Sequence, residues 1–116
     1  MIGVDIEEIE RFNSWSKENF ERVFSSVEIE YANSKAKPLE HFCGFYCVRE
    51  ALIKALNKKD LVLNKIVIEH DKNGKPYFLN NEYLSKIMKD YKIDSIEISI
   101  SHSRNYSVGV VLINKI

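Results

Sequence analysis

The sequence predicts an α+β fold, an antiparallel sheet packed around one central apolar helix. Three stretches carry that prediction. Residues 38–56 are apolar almost all the way round a helical projection. Ile96, Ile98 and Ile100 alternate with Glu97, Ser99 and Ser101, the period of a half-buried strand. Asp71-Lys-Asn-Gly-Lys75 is a turn between two strand candidates.

The elements follow in chain order. Residues 2–6 alternate, which predicts a strand with Ile2, Val4 and Ile6 on one face. Gly3 and Asp5 share the opposite face, and Glu7 joins them if the strand continues. Residues 15–23 predict a short amphipathic helix. Ser25-Ser-Val-Glu28 is a capping-box pattern opening another helix toward Ala32. Pro38 suits the first turn of a longer helix that ends near Leu56, where Asn57 tolerates the left-handed conformation. Leu61 to Glu69 alternates as a strand with a break near Asn64, and Pro76 to Leu79 returns after the turn. Asn80 or Asn81 caps a helix through Tyr91. Tyr106 to Ile113 is the last strand. No repeat, linker or low-complexity tract interrupts the chain, so residues 1–116 read as one domain.

Composition narrows the function classes. The 17 basic and 17 acidic residues give zero net charge, which argues against a strongly basic nucleic-acid surface. No apolar run reaches membrane-spanning length. The start, MIGVDIEEIER, lacks the basic and apolar regions of a signal peptide. A cytoplasmic protein without nucleic-acid or membrane partners is expected. Cys43 and Cys47 are four apart, unlike the C-x2-C of common zinc sites, and no second Cys/His cluster accompanies them. They read as two ordinary reduced helix cysteines.

Chemistry concentrates in the long helix. Phe42, Phe45, Tyr46, Leu52, Ile53 and Leu56 form one broad apolar face, and Gly44, Val48, Ala51 and Ala55 a second side of small residues. After His41 its only charges are Arg49, Glu50 and Lys54. Glu50 and Lys54 share a face, commonly the mark of a surface ion pair. Their apolar surroundings are unusual for one. Arg49 falls within the apolar face, where a guanidinium needs an anion: an internal carboxylate or a bound phosphate.

Five segments, in order, resemble the holo-acyl-carrier-protein synthases, the small single-domain branch of the 4′-phosphopantetheinyl transferase superfamily. Ile2-Gly-Val-Asp-Ile6 with Arg11 is similar to their N-terminal signature. Phe24-Ser-Ser-Val-Glu28 is similar to their F-[ST]-x-x-E element. Phe45-Tyr-Cys-Val-Arg-Glu-Ala-Leu-Ile-Lys54 resembles their lysine-glutamate helix motif. Asn73-Gly-Lys-Pro76 and Ser99-Ile-Ser-His-Ser103 complete the set. Singly each is weak; together they span nearly the whole chain.

The resemblance implies the 4′-phosphopantetheinyl transferase fold and activity. The arm of coenzyme A passes to a serine of apo acyl carrier protein, adenosine 3′,5′-bisphosphate leaves, and fatty acid biosynthesis is served. It implies Mg2+ on the pyrophosphate, held by Asp5 and Glu50, with Glu7 a candidate third ligand from an Asp-x-Glu pair. Lys54 would act in catalysis by neutralising pyrophosphate charge. His102, Ser103, Asn73, Gly74, Lys75, Pro76 and Arg49 would contact coenzyme A. Arg11 and Trp15 would meet the carrier. A homotrimer with sites between subunits is implied as well. Arg49 stands where the family has lysine, which keeps charge but not proton-transfer capacity. That leaves Glu50 or a metal-bound water as base. Two rivals remain: a non-catalytic binding module of the same fold, and a nucleotide-binding regulatory domain. The second lacks a glycine-rich phosphate loop, since the four glycines lie apart at 3, 44, 74 and 109.

Overall fold

The computed structural model describes residues 1–116. In chain order its elements are β1 (Ile2–Glu8), a 3₁₀ turn (Ile9–Ser14), α1 (Lys17–Val23), α2 (Ser26–Asn33) and α3 (Pro38–Leu56). A second 3₁₀ turn (Leu63–Lys65), β2 (Ile68–His70), β3 (Pro76–Phe78), α4 (Glu82–Asp90), β4 (Ile93–His102) and β5 (Tyr106–Lys115) follow. β1, β5 and β4 form an antiparallel sheet in that spatial order, and β2 with β3 forms a separate hairpin.

Local signals set the boundaries. Ser16 and Asn19 exchange side-chain bonds with each other's backbone N–H, a complete capping box for α1. Ser25 Oγ accepts from the Glu28 N–H, and Asn81 Oδ1 from the Leu84 N–H. Pro38 opens α3, and Asn57 closes it in the left-handed region at φ 52°. In the β2–β3 turn Gly74 sits at φ 84°, while Asp71 Oδ1 accepts from the N–H groups of Asn73 and Lys75.

The small-residue side of α3 is where the sheet lies. A Cβ on Gly3 would stand 1.9 Å from the Ala51 carbonyl oxygen, and one on Gly109 would stand 2.7 Å from the Val48 nitrogen. Neither distance is compatible with a side chain, so glycine lets β1 and β5 touch the helix backbone. This contact decides which face of β1 is inside. Gly3 and Asp5 are buried against α3, while Ile2, Val4 and Ile6 point outward at 68%, 55% and 63% exposure. Leu112 and Tyr106 of β5 add to the same exposed apolar sheet face. The core, 21 buried residues in one cluster, is built around α3.

Two segments differ from the sequence expectation. The stretch Leu61 to Glu69 is a strand only from Ile68. Its earlier part coils because the carbonyls of Leu63 and Ile66 accept bonds from Arg49 rather than joining a ladder. The turn at Ile9–Ser14 carried no periodic signal; it buries Phe12 beneath Trp15 and Tyr46. No helix is long and apolar enough to cross a membrane.

Candidate active site

β1 and α3 meet where Asp5 faces Lys54. Asp5 is 8% exposed, and its Oδ1 accepts from Lys54 Nζ at 2.9 Å. Lys54 Nζ also donates to the Val4 carbonyl at 3.1 Å. The bond to Asp5 raises the ammonium's pKa, so the lysine stays charged. Asp5 Oδ2 is buried with no hydrogen-bond partner. An unsatisfied buried carboxylate oxygen is costly, and such atoms are rare unless something else binds them.

Glu7 lies two residues along the same strand face. Burial, and then the neighbouring Asp5, push its carboxyl above the usual range, with Arg11 opposing them. Arg11 Nη1 is 2.6 Å from Glu7 Oε1, and Nη2 donates to the Tyr46 hydroxyl at 3.2 Å. The guanidinium carbon also stands 4.7 Å from the Tyr46 ring centroid. The Tyr46 hydroxyl is pushed up to about 12, first by burial and then by the carboxylate of Glu50 one helical turn on. Asp5, Glu7, Arg11, Tyr46, Glu50 and Lys54 thus form one cluster of acids and cations at the junction of β1 and α3.

Beneath it the two cysteines are free and buried. Cys43 Sγ donates to the Glu7 carbonyl at 3.6 Å and Cys47 Sγ to the Ser107 carbonyl at 3.4 Å, which fastens β1 and β5 to the helix. No group of three or more His, Cys, Asp or Glu side chains is arranged to hold a metal ion.

Of the remaining predicted residues, His102 and Pro76 connect to the start of α3. His102 ends β4 in the sheet row that pairs Glu7 with Ser107 and Ser107 with His102. Its Nε2 is 3.4 Å from Glu40 Oε2. Glu40 lies about 15 Å from Glu50 along the helix axis, at roughly 1.5 Å per residue. Ser103 follows His102 and is exposed; Asn73, Gly74 and Lys75 are exposed at the hairpin turn. Pro76 pairs with His70, whose ring stacks at 3.8 Å on Tyr31 against His41 near the start of α3. His102 thus stands only two strands across the sheet from Glu7 of the acid cluster, whereas the hairpin turn belongs to a separate sheet.

Arg49 does not belong to the acid cluster or the hairpin turn. It is wholly buried and forms an ion pair with Glu28 at 2.5 Å, and it donates to the carbonyls of Phe45, Leu63 and Ile66. Its expected contact with coenzyme A is therefore corrected: every direction from its guanidinium is filled by protein, and its anion is the internal carboxylate. Glu28 also accepts from the Ile68 N–H. Trp15 is half-buried among Phe12, Phe20, Phe24 and Tyr46, while Arg11 keeps 45% of its side chain exposed.

Sequence reasoning missed Tyr46 and Glu28. The helical projection puts Tyr46 on the apolar face, but its spacing of four before Glu50 is the signal that brings its hydroxyl to the acid cluster. The partner of Arg49 was already present in the Phe24–Glu28 element. Only the tertiary contact between α2 and α3 joins them.

The family model described as the 4′-phosphopantetheinyl transferase superfamily matches residues 1–111. The chain belongs to that superfamily. A holo-[acyl-carrier-protein] synthase of Fusobacterium nucleatum is 37% identical over 97% of this chain and 96% of its own length. One from Cytophaga hutchinsonii is 34% identical over 98% and 96%. The curated relatives agree in that activity, and this chain is an enzyme of the same transferase kind. Among solved structures, the Helicobacter pylori synthase in complex with coenzyme A is 29% identical with a TM-score of 0.84, covering 98% of this chain and all of its own. The Neisseria meningitidis synthase, at 24% identity, a TM-score of 0.88 and coverage of 98% and 97%, matches in fold.

Proposed function

We propose that this enzyme moves the 4′-phosphopantetheine arm of coenzyme A onto a serine of apo acyl carrier protein, releasing adenosine 3′,5′-bisphosphate, in support of fatty acid biosynthesis. The buried, unpartnered Asp5 Oδ2 carries the reading: the other oxygen of that carboxylate holds the Lys54 ammonium, and Glu7 lies on the same strand face. Hard carboxylate oxygens of this kind suit Mg2+, with Asp5 and Glu50 as ligands and Glu7 a candidate third that would have to turn toward them. When bound, the ion would neutralise charge on the pyrophosphate.

The chain's own groups do the rest. Lys54 leaves its partner Asp5 to meet a pyrophosphate oxygen, where the positive charge of its ammonium opposes the negative charge that develops. The serine oxygen forms a bond to the phosphorus bearing the pantetheine arm, and the bond from that phosphorus to the bridging oxygen breaks. The serine proton passes to the Glu50 carboxylate or to a water held beside it. His102 and Ser103, with the turn Asn73, Gly74, Lys75 and Pro76, hold the nucleotide end. Arg11 and the exposed part of Trp15 meet the acidic carrier.

The active sites lie between subunits in this reading. We propose a homotrimer joined through the exposed face of Ile2, Val4, Ile6 and Leu112, since an apolar surface of this kind on a small chain is characteristic of an interface. Residues 1–116 act as one domain around a single core cluster. Two buried free thiols favour the reducing cytoplasm. Mass spectrometry of an apo carrier incubated with this protein, coenzyme A and magnesium tests the reaction. The expected result is a mass gain of one phosphopantetheine; an unmodified carrier overturns it.

A further inference from the structure

Arg11 is engaged before any partner arrives. Its Nη1 lies 2.6 Å from Glu7 and its Nη2 3.2 Å from the Tyr46 hydroxyl. Glu7 is 19% exposed and Arg11 45%, so the acid is set inward and the cation outward. Glu7 shares its strand face with Asp5, whose Oδ2 is buried and unpartnered. One side chain therefore closes on an inner carboxylate while presenting its outer edge to solvent.

We propose that the Arg11–Glu7 pair is a latch that couples carrier docking to divalent-cation binding. The inference rests on the transferase reading, in which Arg11 meets the carrier. A carrier carboxylate that takes a bidentate hold on Arg11 competes with Glu7 for the same guanidinium. Release of Arg11 without compensation leaves Glu7 as a half-buried anion beside Asp5, an unfavourable state. A divalent cation at Asp5 and Glu7 removes that penalty. The converse holds with equal size. A cation that draws Glu7 inward frees Arg11 for the carrier, because coupling between two binding events is reciprocal. Carrier and cation bind cooperatively, with Glu7 as the shared element. Glu7 is a positioning residue in this scheme, acting on the carrier through Arg11.

Calorimetric titration of apo acyl carrier protein into the enzyme, without coenzyme A, reads the coupling directly. Magnesium is expected to tighten carrier binding by about fivefold or more, the lower range of allosteric couplings. Glu7→Gln weakens the hold on Arg11. It is expected to bind the carrier tightly without magnesium and to gain little on its addition. Thermal melting in parallel verifies that this variant is folded. Carrier affinity indifferent to magnesium in the parent protein overturns the latch, as does a folded Glu7→Gln variant that keeps the full magnesium effect. Arm transfer by the same preparation separates the two levels. Transfer without coupling defeats the latch alone, whereas absence of transfer defeats the parent reading as well.

Discussion

Arg49 and Glu28 form a wholly buried ion pair that ties α3 to α2. Glu28 also caps the start of β2 through the Ile68 N–H, so one carboxylate joins three elements. Breaking a buried pair from one side leaves the other charge uncompensated, at a cost of about 3–5 kcal/mol. Glu28→Ala is expected to lower stability by that amount in urea unfolding. A paired change of Glu28 and Arg49 to apolar residues should recover much of it. An unchanged urea midpoint in Glu28→Ala would show that the pair holds nothing together.

Gly3→Ala tests the close approach of β1 to α3. Its Cβ would collide with the Ala51 carbonyl at 1.9 Å, and backbone cannot swing aside as a long side chain can. The strand must move, at a cost of roughly 1–3 kcal/mol for an overpacked site. Because Asp5 rides on the same strand, transfer should fall more steeply than stability. Equal kcat/KM in the variant and parent would contradict this positioning.

Asp5→Ala and Glu50→Ala are each expected to remove most transfer while the chain stays folded. Asp5→Ala also frees Lys54, which loses its 2.9 Å partner. Circular dichroism checks the fold and carrier mass the activity. Near-normal turnover of both variants at limiting magnesium would remove the acids from the mechanism.

Stability should respond to two histidines. His41 and His70 are held below the ordinary imidazole value, by burial first and by nearby positive charge including Lys35. Near pH 6.5 and just below it, the unfolded chain binds protons that the folded chain does not. Stability from these groups is therefore complete above about pH 6.5 and declines as pH falls toward their folded values. Urea midpoints measured across that window should fall with pH, and His41→Asn with His70→Asn should flatten the slope. A parent profile flat through the window is the contrary result.

Carrier docking should depend only modestly on salt. The chain has zero net charge, and Glu18 and Glu21 lie between Lys17 and Arg22 on α1, so little long-range attraction is available to screen. Arg11→Ala is expected to raise the carrier KM far more than the coenzyme A KM. Loss of docking at moderate salt, or an unchanged carrier KM, would exclude Arg11 as the main anchor.

The sequence by itself determined the membership and most elements, the turn at Ile9–Ser14 and the coil before Ile68 excepted. Caps at Ser25, Pro38, Asn57 and Asn81 are local signals, satisfied within a few residues, and they appear where expected. Alternation in β1 assigned Gly3, Asp5 and Glu7 to one face, and the spacing of Glu50 and Lys54 assigned them to another. Only the tertiary structure decided which faces meet. Alternation specifies two sides of a strand but not which is buried, and the glycines opposite Ala51 and Val48 turned the polar side of β1 inward. It also decided what the charges touch. Arg49 and Glu50 are adjacent in sequence, yet successive helix positions diverge by roughly 100° at 3.6 residues per turn. Arg49 consequently enters the core to meet Glu28, while Glu50 turns to the acid cluster beside Tyr46. Such long-range pairings depend on how α2, α3 and β1 pack together, and no local pattern contains that information.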